Sequence, residues 1–382
     1  MKKSLRLGAA AAVALAAGLS LAAPADAAVV RHQRHPENAH GHAVFVATDG
    51  ASGNHVVAYR RAADGSLTQE QSYATGGAGG ALAGAVVDKT ASQGALSYDG
   101  RHHLLLAVNA GSNDVSVFSV HGTRLRLRQV VSSRGTFPVS VATHGGAAYV
   151  LNAREGGSVQ GYAISHRRLH PVPSWHRSLG LDPTATPEFT HTPGQVGFTP
   201  SGRQLVVTTK AASNAIDVFR LDRRGAPSQE PVVNTKPGSV PFGFTFDPAG
   251  HLAVTETGLG ALTTYAVRAD GTLRQLSSAA TGQAATCWVT GAGRHLYASN
   301  AGSASESGFS TAPDGSLSLL GQTSTGAGTV DADATADGAY LYVQTGAAGN
   351  VDGFRVEADG GLTPVGTVTV PGAVGGEGIV AL

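Results

Sequence analysis

Residues 105–118 read LLAVNAGSNDVSVF: a β-forming run, a small polar turn, and a second β-rich run that ends in an aromatic residue. This pattern occurs seven times along the chain. The other copies are VFVATDGASGNHVVAY (44–59), AYVLNAREGGSVQGY (148–162), LVVTTKAASNAIDVF (205–219), LAVTETGLGALTTY (252–265), LYASNAGSASESGF (296–309) and LYVQTGAAGNVDGF (341–354). Most of the spacings between closing aromatics are 44 to 46 residues. A β-rich repeat of this length is typical of propeller blades.

Two further features complete each repeat. A short β-run precedes six of the copies, as GALSYDG (94–100) precedes residues 105–118. Asp-Gly turns, which favour hairpins, follow four of the closing aromatics. We therefore predict an all-β, seven-bladed propeller over residues 43–382, with four antiparallel strands per blade, named A to D from the inside outward. The first copy lacks an A strand, so we expect the C-terminal EGIVAL (377–382) to supply it and close the ring.

The N-terminus has the pattern of a secretory signal peptide over residues 1–27. Lys2, Lys3 and Arg6 precede an apolar run, and Ala25-Asp26-Ala27 matches a cleavage site. The apolar run is short for a transmembrane anchor. We expect a secreted protein that keeps no membrane anchor after cleavage.

Residues 28–42 are predicted to be a flexible linker that contains four histidines. These histidines are His32, His35, His40 and His42. A solvated linker is favoured over a metal site, because no secondary structure holds a ligand set together.

Composition excludes several classes of function. Charged residues make up 14% of the chain and its formal net charge is +1, which argues against a nucleic-acid partner. Cys287 is the only cysteine, lies in an apolar A strand and is expected to be a buried structural residue. No dinucleotide, phosphate-loop or zinc-protease motif is present, so we predict no cofactor and no metal. We expect a monomer.

Strand directions predict where a ligand binds. A strands begin, and B–C turns lie, on one face of the ring, which we call the A-start face. The two longest D–A connections, about 76–92 and 170–194, reach the same face, and long connections on a rigid scaffold often carry function. The residues predicted to contact a small-molecule or protein ligand there are Gln93, Gln195, Asn300, Asp331 and Glu377. The alternative is that these polar residues only cap a water-filled channel.

The repeats resemble the lactonase family of seven-bladed propellers, which includes bacterial 6-phosphogluconolactonases and fungal 3-carboxymuconate cyclases. The resemblance covers about 43–382 and is carried by lines such as HTPGQVGFTPSGRQLVV (191–207) and AGRHLYASNAG (292–302). It implies a site of His, Arg and Glu side chains around the channel mouth, acting on a lactone ring. A weaker resemblance links the chain to YVTN-type surface propellers.

The residues that the family pattern would place at this site are partly replaced. His191 matches one of the two expected histidines, and Gln195 stands at the other. Glu256 keeps the expected carboxylate. The expected arginines are absent from the three segments Val240-Pro241-Phe242-Gly243, Cys287-Trp288 and Asn300-Ala301-Gly302. The resemblance therefore implies that anionic lactones lose their binding groups.

Two functions follow from this pattern. The first is an exported lactonase-like propeller that binds a ligand or partner and has lost the family's standard site. The second is an active secreted lactonase, a carboxylic-ester hydrolase, or a related lyase or isomerase. That enzyme would use a rearranged site around His191 and Glu256.

Overall fold

The computed structural model describes residues 42–382. Within them, 28 strands form seven separate sheets, each with four antiparallel strands. This confirms the predicted seven-bladed propeller. The predicted signal peptide, and the predicted linker up to residue 41, lie outside the described residues.

The strands follow the predicted order of blades. Blade 1 contains β1 (Ala43–Ala47), β2 (His55–Arg61) and β3 (Leu67–Ala74). Blade 2 contains β4 (Leu96–Asp99), β5 (Leu104–Asn109), β6 (Asp114–His121) and β7 (Arg124–Ser132). Blade 3 contains β8 (Pro138–His144), β9 (Ala147–Asn152), β10 (Ser158–Ser165) and β11 (Arg168–Ser178). Blade 4 contains β12 (Gln195–Phe198), β13 (Gln204–Thr208), β14 (Ala215–Arg220) and β15 (Val232–Thr235).

The remaining blades repeat the arrangement. Blade 5 contains β16 (Pro241–Phe246), β17 (Leu252–Glu256), β18 (Ala261–Val267) and β19 (Leu273–Ala280). Blade 6 contains β20 (Thr286–Ala292), β21 (His295–Asn300), β22 (Ser305–Thr311) and β23 (Leu317–Ser324). Blade 7 contains β24 (Thr329–Ala334), β25 (Tyr340–Thr345), β26 (Asn350–Val356) and β27 (Leu362–Thr369), and β28 (Ile379–Ala381) returns to blade 1. Single 3-10 turns occupy Glu188–Thr190, Lys210–Ala212 and Thr257–Leu259.

Burial differs between the inner and outer strands of a blade. Every residue of β5, LLLAVN, is buried, because neighbouring blades cover both faces of the inner strands. The outer strand β3, LTQEQSYA, is mostly exposed. The closing aromatics Phe118 and Tyr162 are at most 1% exposed and lie in the cores between blades. The repeated aromatic of the sequence is therefore a packing residue.

An Asp-Gly turn shows why glycine is needed at the outer hairpins. Gly65 has φ 87°, which favours glycine. A Cβ there would lie 2.2 Å from Cε1 of Tyr340 in blade 7. The hydroxyl of Tyr342 donates a hydrogen bond of 2.7 Å to the Gly65 carbonyl. The turn thus also joins blade 1 to blade 7.

The C-terminal strand closes the ring as predicted. β28 pairs antiparallel with β1, with Val46 opposite Ile379 and Val44 opposite Ala381. The Leu382 amide adds a 2.8 Å hydrogen bond to the Ala43 carbonyl. β28 also contacts β24 and β4, the innermost strands of the two flanking blades. In residues 42–382 we find no helix with the length and apolar character needed to cross a membrane.

Candidate functional site

The A strands of blades 5 and 6 begin with irregular pairing. The β16–β17 register shifts between Pro241 and Phe244, and the β20–β21 register shifts between Thr286 and Trp288. Such bulges release residues from the ladder and redirect their side chains. Phe242 and Trp288 consequently meet edge to face, with ring centroids 4.9 Å apart and an interplanar angle of 62°.

These two rings form one wall of a cavity of about 250 Å³ on the A-start face. The long connections supply Val87 and Phe189, and the B–C turn of blade 6 supplies Ala301. Of the eleven lining residues, Asp88 and Cys287 are the only ones that can ionise. Phe242, Trp288 and Ala301, where the resemblance predicts arginine or its neighbours, therefore line one largely apolar cavity.

Lys210 forms hydrogen bonds to both long connections beside this cavity. Its side chain is 1% exposed, and its Nζ donates to the carbonyls of Ala91 and Phe189 at 2.6 Å each and to Thr192 Oγ1 at 3.0 Å. Burial lowers the pKa of Lys210 to about 7, and the negative charge of Asp88 opposes that shift. Three acceptors use all three donors of an ammonium group. Lys210 thus holds the cavity walls and has no donor left for a ligand.

Asp88 is held by its own loop. One oxygen accepts from the Thr90 amide and hydroxyl at 2.8 Å each, and the other accepts from the Ser92 amide at 2.9 Å. Burial raises its pKa. The Trp288 indole donates to the Ser92 carbonyl at 2.6 Å, which ties this loop to blade 6. The polar part of the cavity is therefore internally satisfied.

Next to Asp88 lies a group of buried carboxyls at the ring closure. Glu377 Oε1 accepts from the Gly94 amide at 2.8 Å, and Glu377 hydrogen-bonds to Asp331. The Glu377 amide donates to Asp49 Oδ2 at 2.8 Å. Burial raises the pKa of Asp49 and of Asp331 to about 7, and burial with the neighbouring carboxyls raises that of Glu377. No group of three or more His, Cys, Asp or Glu residues suited to a metal ion occurs within 42–382.

Gln93 and Gln195, predicted to face a ligand, hydrogen-bond to strand backbones. Gln93 donates to the Val289 carbonyl at 2.8 Å and accepts from its amide at 3.0 Å. Because blades 2 and 6 are not neighbours, this bridge crosses the channel. Gly243 leaves room for it, since a Cβ there would lie 2.1 Å from Gln93 Oε1. Gln195 makes the same two bonds to Phe244, at 3.1 and 2.6 Å.

Gln93, Gln195 and Asp331 do come together, but in a second cavity. This cavity of about 390 Å³ lies along the A strands and reaches Leu382. Asp333 also lines it and accepts from the Ala381 amide at 2.9 Å. The polar side chains of the channel thus mainly satisfy innermost strands, which have one edge without a partner strand.

The structure places His191 outside the apolar cavity. Its Nδ1 lies 2.9 Å from the Pro187 carbonyl and 3.0 Å from Thr190 Oγ1. It lines a cleft of about 30 Å³ together with Arg154 and Glu188, which form an ion pair of 2.7 Å. His191 belongs to the outer side of the 179–194 connection.

Glu256 is 1% exposed and belongs to a closed polar cluster in blade 5. Its Oε2 lies 2.6 Å from Lys236 Nζ and accepts from Thr263 at 2.7 Å. The Tyr265 hydroxyl donates to its other oxygen. Glu256 and His191 have different partners, and neither lines the apolar cavity. The structure does not bring the two predicted catalytic residues together there.

Asn300 and Cys287 are also buried. Asn300 donates to Ser305 and Ser307 of its own blade and accepts from Thr286. Cys287 is a free thiol whose pKa burial raises to about 12, so it stays protonated at neutral pH. Asn300 shapes the B–C turn next to Ala301, and Cys287 lines the cavity as a neutral group.

Sequence reasoning did not identify Asp88 and Phe189 as parts of the site, and it placed Lys210 among the B–C turn residues of the A-start face without predicting a role for it. Asp88 and Phe189 lie in the long connections, which have no repeat from which a position can be predicted. Lys210 follows strand B of blade 4, where the equivalent residue of other blades is Asn109 or Asn152. That departure from the repeat is a signal that was present in the sequence.

Comparison with known proteins agrees with this architecture. Residues 85–375 match the family model "Lactonase, 7-bladed beta-propeller". A candidate 6-phosphogluconolactonase from Bacteroides uniformis superimposes with a TM-score of 0.70 at 20% identity, covering 87% of this chain and 98% of that one. The periplasmic gluconolactonase PpgL from Pseudomonas aeruginosa gives 0.69 at 20% identity, covering 89% and 98%. A search of curated proteins finds no match. The family match spans most of the chain, and the protein belongs to the lactonase family of seven-bladed β-propellers.

Proposed function

We propose that this lactonase-family propeller is exported and binds a small, neutral, largely apolar molecule in the A-start cavity. The observation that carries the proposal is the cavity lining, where Phe242, Trp288 and Ala301 stand together. A concave apolar site with few polar groups is the usual form of a small-molecule site.

The size of the cavity indicates the size of the ligand. An apolar cavity of about 150 Å³ is known to hold benzene. The present cavity of about 250 Å³ therefore suits a bicyclic ring system of roughly ten heavy atoms. The edges of Phe242 and Trp288 favour an aromatic ring, which can contact them in offset or edge-to-face geometry.

Charge argues against an anionic ligand. The lining contains no Arg, Lys or His, and Asp88 is the residue that would face a phosphate or carboxylate. Lys210, the cation beside the cavity, already uses its three donors. Transferring an unpaired anion into such a site costs several kcal/mol. A neutral lactone remains compatible with the cavity.

The test uses dihydrocoumarin, a neutral bicyclic lactone, and the fluorescence of Trp288. The chain has two tryptophans, so Trp175→Phe leaves Trp288 as the only reporter. We expect saturable quenching by dihydrocoumarin and none by 6-phosphogluconolactone. Absence of saturable quenching by dihydrocoumarin contradicts the proposal.

A matched pair of variants locates the binding. Ala301→Leu fills the cavity and is expected to weaken binding at least tenfold, because the added atoms occupy the ligand's space. Ala211→Leu makes the same change in the blade 4 B–C turn, outside the lining, and should leave binding unchanged. Equal effects of the two variants would exclude this cavity.

Hydrolysis separates the two function hypotheses. Binding of dihydrocoumarin without turnover supports a binding protein. Saturable turnover that His191→Ala or Glu256→Gln abolishes favours the alternative, an active lactonase with a rearranged site. Mass spectrometry of protein secreted by a bacterial host tests export, and we expect a chain that begins at Ala28.

A further inference from the structure

The formal net charge of the chain is small, but positive and negative residues are unevenly distributed along the sequence. Residues 100–225 contain fourteen Lys or Arg and six Asp or Glu, whereas residues 226–382 contain five and thirteen. The first range covers blades 2 and 3 and most of blade 4, and the second covers blades 5 to 7. We call the part of the molecule formed by the first range the basic side and the part formed by the second range the acidic side.

The basic side has a defined centre on the outer strands of blades 2 and 3. Arg124 and Arg126 of β7 are exposed and flank the buried Leu125, so they share one face of the strand. Arg167 and Arg168 lie at the C–D turn of blade 3 and are exposed. We call these four arginines the basic surface.

Gln129 holds the two parts of the basic surface next to each other. Its side chain donates to the Leu169 carbonyl at 3.0 Å and accepts from the Leu169 amide at 2.9 Å. Leu169 directly follows Arg168, and Gln129 lies three residues after Arg126. The bonded pair thus fixes the C–D turn of blade 3 against β7.

No carboxylate neutralises these arginines within the described residues. The ion pairs found there do not include them. In blades 2 and 3, Asp114 bonds to Asn109 and Glu155 lies in the B–C turn, so both are at the A-start end. Asp99 is paired with His102 at 2.6 Å. Histidines surround the basic surface instead, namely His121, His166 and His170.

We infer that the basic surface binds an acidic polysaccharide that carries carboxylate or sulfate groups. Arginine guanidinium groups recognise such anions through paired hydrogen bonds. Arg124 and Arg126 are two residues apart on a strand, about 7 Å, which presents charges in a row along an extended polymer. Nucleic-acid single strands need aromatic platforms for their bases, and no Phe, Tyr or Trp side chain among residues 42–382 is exposed. This inference concerns a site separate from the A-start cavity.

The test measures binding of the full-length mature protein to heparin, used as the probe polysaccharide. We expect retention at about 0.15 M salt and elution at higher salt than from a plain sulfonate resin. Four contacts would make affinity fall about 20-fold between about 0.05 and 0.15 M salt, with the counterion-release slope of about −0.7 per contact known for single-stranded nucleic acids. Replacing Arg124, Arg126, Arg167 and Arg168 by Gln should weaken heparin binding at least tenfold.

A control variant removes the same number of charges from the acidic side. It carries Gln at the exposed residues Arg268, Arg274, Arg294 and Arg355, and should bind heparin within twofold of the unchanged protein. Thermal unfolding of both variants checks that the fold is kept. Equal loss in both variants, or no retention beyond the sulfonate resin, overturns the inference. Tighter binding to single-stranded DNA or to anionic phospholipid vesicles than to heparin also overturns it.

Discussion

Two regions of the molecule use the same strand positions in different ways. One is the ring closure where β28 pairs with β1, which we call the joint, and the other is the cavity on the A-start face. At the joint, Asp331 of blade 7 accepts from the Ile379 amide of blade 1, and Glu377 of blade 1 accepts from the Gly94 amide of blade 2. In blades 5 and 6, the corresponding starts carry Phe242 and Trp288, which enclose a cavity. A polar residue at an A start thus joins two blades, whereas an apolar residue there lines a cavity.

Removing the joint should have the largest effect. Deleting residues 377–382 removes β28 and leaves β1 without its inner partner strand. It also leaves the buried carboxyls of Asp49 and Asp331 without their hydrogen-bond partners at the closure. Loss of Ile379 and Val380 alone should cost about 5 kcal/mol. We expect no cooperative thermal unfolding transition above about 37 °C by circular dichroism. Removal of Leu382 alone is the control, and an unchanged transition in the longer deletion would contradict the closure.

Lys210→Met tests the link between the connections and the cavity. The variant leaves the buried carbonyls of Ala91 and Phe189 without their donor, at a cost of about 2–4 kcal/mol. We expect a lower unfolding temperature, faster proteolysis within 75–95 and 179–194, and weaker dihydrocoumarin binding. Lys89→Met is the control, because the Lys89 ammonium donates one long hydrogen bond, of 3.4 Å to the Asp49 carbonyl. Cleavage equal to the control would show that Lys210 does not hold the connections.

The joint should be more stable in mild acid. Asp49 and Asp331 have folded-state pKa values raised to about 7, so their protonated forms favour folding. That contribution is complete below their ordinary pKa of about 4 and is lost as the pH rises through 7. We expect an unfolding temperature at least about 3 °C lower at pH 7.5 than at pH 5. Burial lowers the pKa of Lys210 to about 7, so the cost of burying its charge falls only as the pH rises above that value.

Two variants assign the pH effect to the joint. Asp331→Asn should reduce the difference between pH 5 and pH 7.5, since the amide cannot ionise. Asp270→Asn changes an exposed Asp-Gly turn and should leave the difference intact. A pH dependence that is the same in both variants would assign it to other groups.

Glu256→Gln should have a smaller effect. The carboxylate is paired with Lys236 and accepts a hydrogen bond from Thr263 of blade 5, and it does not line the cavity. We expect about 1–2 kcal/mol of destabilisation by denaturant unfolding and no change in dihydrocoumarin affinity. A loss of affinity without a loss of stability would return Glu256 to the site.

The smallest expected effect is on phosphorylated lactones. Hydrolysis of 6-phosphogluconolactone should not exceed the spontaneous rate, because Phe242, Trp288 and Ala301 provide no group that binds its phosphate. A pH-stat assay at low protein concentration measures this. A saturable rate well above the spontaneous one would show that the protein binds the phosphorylated lactone with groups other than the residues that line this cavity.

The fold was predictable because each blade repeats the same constraints. Alternating apolar residues, an aromatic such as Phe118 and a turn glycine such as Gly65 recur with one period, so each copy supports the others. The strand count also predicted that β28 completes blade 1. Local pattern and overall architecture agree in this chain.

The site was less predictable because its parts do not repeat. Strand direction placed Gln93 and Asp331 on the channel, but it did not show that backbone amides would bind both side chains. Phe189 and Asp88 reach the cavity through loops whose paths depend on Lys210. The resemblance predicted that arginines are replaced at Phe242, Trp288 and Ala301, whereas the cavity that these three residues line together required the structure.

The placement of β28 makes the first and last strands of the propeller part of the same blade. Synthesis runs from the N-terminus, so β1 waits for its inner partner until about 335 further residues have been made. A nascent or truncated chain therefore presents an unpaired inner edge on blade 1. Leu382 lines the cavity along the A strands, so a polypeptide fused after it would begin beside that cavity. Affinity tags for this protein should accordingly be placed after the predicted cleavage site and before Ala43.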